Sequence, residues 1–174
     1  MFFYQYVASI KEPDCEDDVV DNRMFGNIFH KSAQLIYDDI MSHNNGRIEK
    51  ASIQKYLNTK GLLESIVDRA FNEELFKVKN SMRSPYYNGL HLINRKVLIE
   101  YLRQLLHSDQ RTAPFEMLAL EDAVYTQIAF ETEDNNVRKI RIGGIIDRLD
   151  RVTDARTGVS TIRVVDYKTG IQAT

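Results

Sequence analysis

Two apolar runs punctuated by acids constrain this chain more than any other feature. They are Gly143-Gly144-Ile145-Ile146-Asp147-Arg148-Leu149-Asp150-Arg151 and Ile162-Arg163-Val164-Val165-Asp166-Tyr167-Lys168-Thr169-Gly170. Both are rich in β-branched residues, and Asp154-Ala155-Arg156-Thr157-Gly158 between them reads as a turn. Side chains alternate along a strand, so Val164, Asp166 and Lys168 share one face while Val165 and Tyr167 share the other. With the turn centred near residues 156–157, position 147 falls roughly opposite 166, on the same face of an antiparallel pair. Two carboxylates and an ammonium then converge between apolar Ile145 and Val164.

Two aspartates forced together need a cation to offset their repulsion, and a hard divalent ion with oxygen ligands is the natural one. Such an ion lowers the pKa of a coordinated water and polarises a phosphate, while a lysine orients the water or stabilises developing charge. The chemistry that fits is phosphodiester hydrolysis. A lone Asp-x-Lys at a strand end is usually a solvated pair. Here a second acid shares the face, and Gly143-Gly144 and Gly170 permit close backbone approach.

The rest of the chain predicts helices before strands. Residues 2–10 are dense in aromatics, and KEPDCEDDVVD (11–21) is an acidic connection broken by Pro13. A helix is expected from about Asn22 to Met41, capped by Asp21 or Asn22, with Phe25, Ile28, Phe29, Ile36 and Ile40 at a 3.6 period. Asn44-Asn45-Gly46 ends it. From about Ile48 to Leu106 the pattern stays helical, with core stripes at Leu62, Leu63, Ile66, Val67, Ala70 and Phe71, and at Leu92, Ile93, Val97, Leu98, Tyr101, Leu102, Leu105 and Leu106. A loop at 84–89 separates the stripes. After Pro114, residues 115–131, 137–152 and 160–167 read as strands of a largely antiparallel sheet, with a turn at 133–136. The fold class is α+β, or mixed α/β, and 174 residues suit one domain.

Composition narrows function mainly by exclusion. A net charge of −2 leaves no global signature of nucleic-acid binding, so any such site is a local patch or is completed by a partner. The single Cys15 allows no disulfide framework and no cysteine cluster for a zinc or iron–sulfur centre. No apolar run approaches the roughly 20 residues of a membrane span, and no signal-peptide pattern opens the chain. A cytoplasmic protein with no membrane association is expected. Both ends read as cuts in a longer polypeptide.

GGIIDRLDRV followed by VVDYKTG resembles the second and third motifs of the RecB/AddB-type PD-(D/E)xK nuclease family. Phe25-Gly26-Asn27-Ile28-Phe29-His30 is similar to that family's first motif, a helix bearing G-x-x-x-H, and FFYQYVASIKEPD is similar to the segment preceding it in AddB-type proteins. The resemblance covers residues 2–41 and about 115–170. It implies a restriction-endonuclease-like core, with a central mixed sheet flanked by helices, over a single nuclease domain of residues 1–174. The sheet core would occupy about 115–170, and about 45–110 would be a helical insertion. It further implies that His30, Asp147, Asp166 and the Tyr167 carbonyl bind Mg2+ or Mn2+ and that Lys168 is catalytic. An imidazole ligand suits manganese better than magnesium. Gly26, His30 and Ala33 fall on one helical side, the small residues allowing close docking against the sheet.

The function implied is a metal-dependent DNA exonuclease module, associated with a helicase subunit or domain, in recombinational repair. The alternatives are a free-standing CRISPR-associated RecB-like exonuclease and a non-catalytic DNA-binding or scaffold module. The family's Q-x-x-x-Y helix does not fit before Thr174, since Gln172 has no tyrosine at the required spacing. Cys15 does not match the iron–sulfur cysteine of AddB-type members, so a cluster is expected in a full-length protein only. Glu121, near where the family often has a glutamate, is a candidate to support the metal ligands from behind or to bind a second metal, with a solvated strand residue the plainer reading. Arg148 and Asp150 should point away from Asp147 and form a structural ion pair. Arg138, Lys139 and Arg141 read as phosphate contacts or a solvated edge strand.

Overall fold

The structure is a computed structural model describing residues 20–79, 81, 83–131 and 137–169. The aromatic segment 2–10, Pro13, Cys15, the 133–136 turn, Gly170 and Gln172 lie outside the described residues.

Helix α1 (Asn22–Asn44) begins where the sequence predicts. The Asp21 carboxylate accepts from the Met24 N–H at 2.6 Å, satisfying one of the helix's free donors. At the far end, Asn45 stops the helix in the left-handed region at φ 49° and donates its N–H to the Met41 carbonyl. Ile28, Phe29, Ser32, Ala33, Ile36, Tyr37 and Ile40 make the buried face. The spacing of three and four residues puts them on one side of the helix. Strand β1 (Arg47–Ile48), α2 (Lys50–Asn58), α3 (Leu62–Glu74) and α4 (Gly89–Thr112) follow. Asn88 caps α4, its side chain accepting from the His91 N–H at 2.8 Å.

The helices enclose a core of Ile36, Ile53, Val67, Phe71, Leu98 and Leu102, all fully buried. The α3 stripe packs as expected, but the α4 stripe divides. Leu98, Leu102 and Leu106 are buried, whereas Leu92, Ile93, Val97 and Tyr101 stay exposed. Steps of four from Leu98 keep one narrow line against the neighbouring helices, and the residues a turn aside from it face outward. No described helix is long and apolar enough to cross a membrane.

Strands β2 (Phe115–Glu131), β3 (Val137–Thr153) and β4 (Ser160–Val165) complete a four-stranded sheet in the order β1-β2-β3-β4. The resemblance implied a mixed sheet, but every described pairing is antiparallel. The strands follow one another too closely in sequence for the crossover a parallel pair requires. Register along β3–β4 runs from Thr153↔Ser160 to Arg148↔Val165, one step short of setting Asp147 across from Asp166.

Strand β2 departs from regular pairing at two places. The register shifts between Met117 and Ala119, and the ladder is then interrupted at the opposed residues Glu121 and Asp147, between the pairs Leu120↔Arg148 and Asp122↔Ile146. Glu121 has φ 48°, in the left-handed region that non-glycine residues rarely enter. Beyond it, β2 and β3 continue as an exposed ribbon. There Gly143 is obligatory, because a Cβ would come within 2.1 Å of the Val124 carbonyl oxygen.

Candidate metal centre

Where α1 meets β2 and β3, His30, Glu121 and Asp147 converge. Each offers one ligand atom, and the three atoms lie within 4.8 Å of one another. Imidazole Nδ1 of His30 is 2.9 Å from Oε1 of Glu121 and 3.7 Å from Oδ1 of Asp147. All three side chains are partly buried.

Local structure explains how residues so distant in sequence meet. One turn before His30, Gly26 faces the segment after Asp166, where a Cβ would lie 3.4 Å from Oγ1 of Thr169. A small residue there lets α1 approach that segment closely. Glu121 arrives by the positive-φ kink at the interrupted position of the ladder, a conformation that costs about 1–3 kcal/mol and persists only where the surroundings impose it. Asp147 is oriented by the main chain: its Oδ2 accepts the Tyr167 N–H at 2.6 Å, leaving Oδ1 toward His30.

The donor set fits a divalent cation. Around a six-coordinate magnesium-sized ion, neighbouring ligand atoms sit about 3 Å apart and opposite ones about 4 Å. The 2.9 Å and 3.7 Å separations lie in that range. One neutral imidazole and two carboxylates also offset a double positive charge, and the nitrogen donor suits manganese. Beside the cluster runs an open groove of about 310 Å³, bordered by Gly26, Asn27, His30, Lys31, Gln34 and Glu121 among others.

Asp166 and Lys168 stand apart from this group. The Lys168 ammonium is 2.9 Å from Oδ2 of Asp166, and both side chains are more than half exposed. The hydrogen bond to Asp166 raises the Lys168 pKa, and the charges of Asp166 and Asp147 add to the effect. The register carries Asp166 toward Asp147, but the carboxylates diverge. Asp147 turns to take the Tyr167 N–H, whereas Asp166 follows the exposed Val164 face. Tyr167 contacts the cluster through its N–H and through its ring, which packs edge-on against the His30 imidazole at 5.6 Å between centroids. Glu121, which on its own reads as a solvated strand residue, is instead hydrogen-bonded to His30. Arg138, Lys139 and Arg141 lie on the exposed ribbon, where the Arg141 guanidinium covers the Tyr125 ring at 3.8 Å.

Behind the cluster lies a buried ionic network. Arg148, 1% exposed, makes a two-pronged pair with Asp109 at 2.6 and 2.9 Å and donates through Nε to Asp150 at 2.9 Å. Asp150, fully buried, also accepts two hydrogen bonds from Arg163 at 2.7 and 2.8 Å. Tyr37 donates to Asp109, and the Arg148 Nη1 reaches the hydroxyl oxygens of Tyr37 at 3.3 Å and Tyr167 at 3.4 Å. Two cations balance two anions, and no buried side-chain polar atom among the described residues lacks a partner. Burial works against the Arg148 charge, but Asp109 and the neighbouring tyrosine oxygens outweigh it and its pKa rises. Burial pushes the Tyr167 hydroxyl up to about 12.

The Arg148–Asp150 pair is foreseen by strand alternation, but Asp109 and Tyr37 are not. Their signal is an acid and a phenol at helical spacing on otherwise apolar stripes, Asp109 following Leu102 and Leu106, and Tyr37 lying among Ala33, Ile36 and Ile40.

A family model described as the PD-(D/E)XK nuclease superfamily matches residues 1–174. No curated protein and no solved structure matches the chain.

Proposed function

The chain belongs to the PD-(D/E)XK nuclease superfamily, and from that membership we propose that it is a divalent-metal-dependent deoxyribonuclease of RecB/AddB type. On this reading residues 1–174 form one nuclease domain whose helical stretch, about 45–110, is an insertion. It digests DNA from an end, beside a cytoplasmic helicase, in recombinational repair. The observation that carries the nuclease reading is the convergence of His30, Glu121 and Asp147.

Each side chain has a distinct task. The Nδ1 of His30, Oε1 of Glu121 and Oδ1 of Asp147 hold the cation, with Asp147 kept in place by the Tyr167 N–H. When bound, Mg2+ or Mn2+ supplies a water of lowered pKa and a Lewis acid for the scissile phosphate. Lys168 stays protonated and serves as a hydrogen-bond donor to a phosphate oxygen, not as a proton acceptor. Asp166 pairs with that ammonium at 2.9 Å, and the resemblance makes Asp166 and the Tyr167 carbonyl further ligands. The groove beside His30 is the approach for the phosphodiester backbone.

The experiment is digestion of linear duplex and single-stranded DNA with Mn2+, comparing wild type with Asp147→Ala and Lys168→Ala. Metal-dependent cleavage abolished in both variants supports the reading. Wild-type protein that binds Mn2+ yet cuts neither substrate would argue for a non-catalytic module.

A further inference from the structure

Tyr167 is the residue through which the buried ionic network touches the metal cluster. Its N–H fixes Oδ2 of Asp147 at 2.6 Å. Its ring lies edge-on to His30 at 5.6 Å and to Phe29 at 5.7 Å. Its hydroxyl oxygen accepts from Arg148, which Asp109 and Asp150 clamp at hydrogen-bonding distances of 2.6–2.9 Å. The tyrosine is 8% exposed, so its ring has little freedom to turn away.

The same network also controls both elements that carry His30 and Asp147. Tyr37 lies seven residues beyond His30 on α1, two helical turns along the same side. It bonds Asp109 and is approached by Arg148, which tethers that side of α1 to α4 and β3. Arg148 directly follows Asp147 on β3. A rotation of the Arg148 guanidinium would therefore displace the Tyr167 ring, and with it the packing of His30.

We propose that the Tyr167 side chain, clamped by Arg148, is a positioning residue: its ring sets the orientation of His30 before any cation arrives, while the main-chain N–H of the same residue aims Asp147. This rests on the metal-site reading of His30 and Asp147 and goes beyond it, assigning a role to a ring and a hydroxyl that act only through His30. Groups that orient metal ligands from behind typically change affinity by about tenfold to a hundredfold when removed.

The test compares wild type, Tyr167→Phe, Tyr167→Leu and Asp109→Asn with Leu102→Ala, a cavity at a fully buried core position. In the metal-free protein, the imidazole signals of His30 are followed by NMR, assigned by their loss in His30→Gln. Mn2+ titration calorimetry then separates the number of sites from their affinity.

The expected result is a shifted or multiplied His30 signal in Tyr167→Leu and Asp109→Asn, with Mn2+ affinity lowered about tenfold or more at unchanged stoichiometry. Tyr167→Phe keeps the ring and should fall between these and wild type. Leu102→Ala should lose stability while leaving signal and affinity alone. If Tyr167→Leu shows a wild-type His30 signal, or only a reduced number of sites at wild-type affinity, the residue is structural and the proposal is overturned. Wild type that binds no Mn2+ would sink the metal-site reading instead, and the His30 signal would still decide the positioning role.

Discussion

The main-chain N–H of Tyr167 donates to Oδ2 of Asp147 at 2.6 Å, so a carboxylate on one strand is aimed by the backbone leaving the next. That bond occupies one oxygen and frees the other, Oδ1, to face His30. Asp147 and Glu121 thus both approach the same nitrogen, Nδ1 of His30, and two carboxylates this close repel one another unless a positive charge stands between them.

Asp147→Asn keeps the shape and the Tyr167 contact but removes one negative charge. Its metal-free melting temperature should equal or exceed wild type, while DNA cleavage falls by about a hundredfold or more. At a Mn2+ concentration one hundred times Kd, the bound ion stabilises wild type by about 2.7 kcal/mol. Scanning calorimetry with and without Mn2+ should show that increment in wild type and not in the variant.

Glu121 separates stability from function. At φ 48° a Cβ is strained, so Glu121→Gly should be about 1 kcal/mol more stable than Glu121→Ala, although both lack the carboxylate. Both should lose Mn2+ affinity to the same extent. Urea unfolding gives the first comparison and calorimetric titration the second. Equal stabilities would mean that the kink imposes no strain.

Arg148→Met leaves Asp109 and Asp150 facing each other across a buried site with Arg163 alone to balance them. Breaking such a network from one side costs about 3–5 kcal/mol. Pairing Arg148→Met with Asp109→Asn should recover part of the loss, because the charges balance again. A double variant no more stable than the single one would contradict this.

Alkali should unfold the protein through its tyrosines. Tyr167 ionises near pH 10 in an unfolded chain and near 12 in the fold, with burial the main cause. Between those values the unfolded chain has released a proton that the folded one keeps, so stability falls as pH rises. The contribution is complete below pH 10, and about 2–3 kcal/mol of it is lost by pH 12. Tyr37 is also raised, by burial first and Asp109 second, and steepens the decline. Urea midpoints followed across this range should flatten in Tyr167→Phe.

Much of the fold was legible in the sequence because it depends on local rules. The Asp21 cap, the start of α1 and the α3 stripe follow from side-chain chemistry and helical periodicity. The turn at 154–158 sets the β3–β4 register, and with it the approach of Asp147 and Asp166. The features that escaped depend on single side chains answering to tertiary neighbours. No local pattern signals a left-handed φ at Glu121, which arises where the β2–β3 ladder is interrupted opposite Asp147. Alternation places Asp147 and Asp166 on one face, but it does not say that the Tyr167 N–H turns one carboxylate inward while Lys168 keeps the other in solvent. Asp109 lies on an apolar stripe and gains its meaning only when Arg148 arrives from 39 residues away.

Strand β3 presents Asp147 to the cluster and Arg148 to the buried network in consecutive residues. A shift of the strand by one position would therefore push a carboxylate into the core and strand a guanidinium in solvent, in a single stroke. Breaking the network in this way costs about 3–5 kcal/mol, so a one-residue slip of β3 is strongly disfavoured. Insertions and deletions should be lethal to folding between Gly144 and Asp150, and progressively less so along β3 toward its exposed end at Val137. A scan of one-residue deletions, scored by soluble yield, would map that gradient directly.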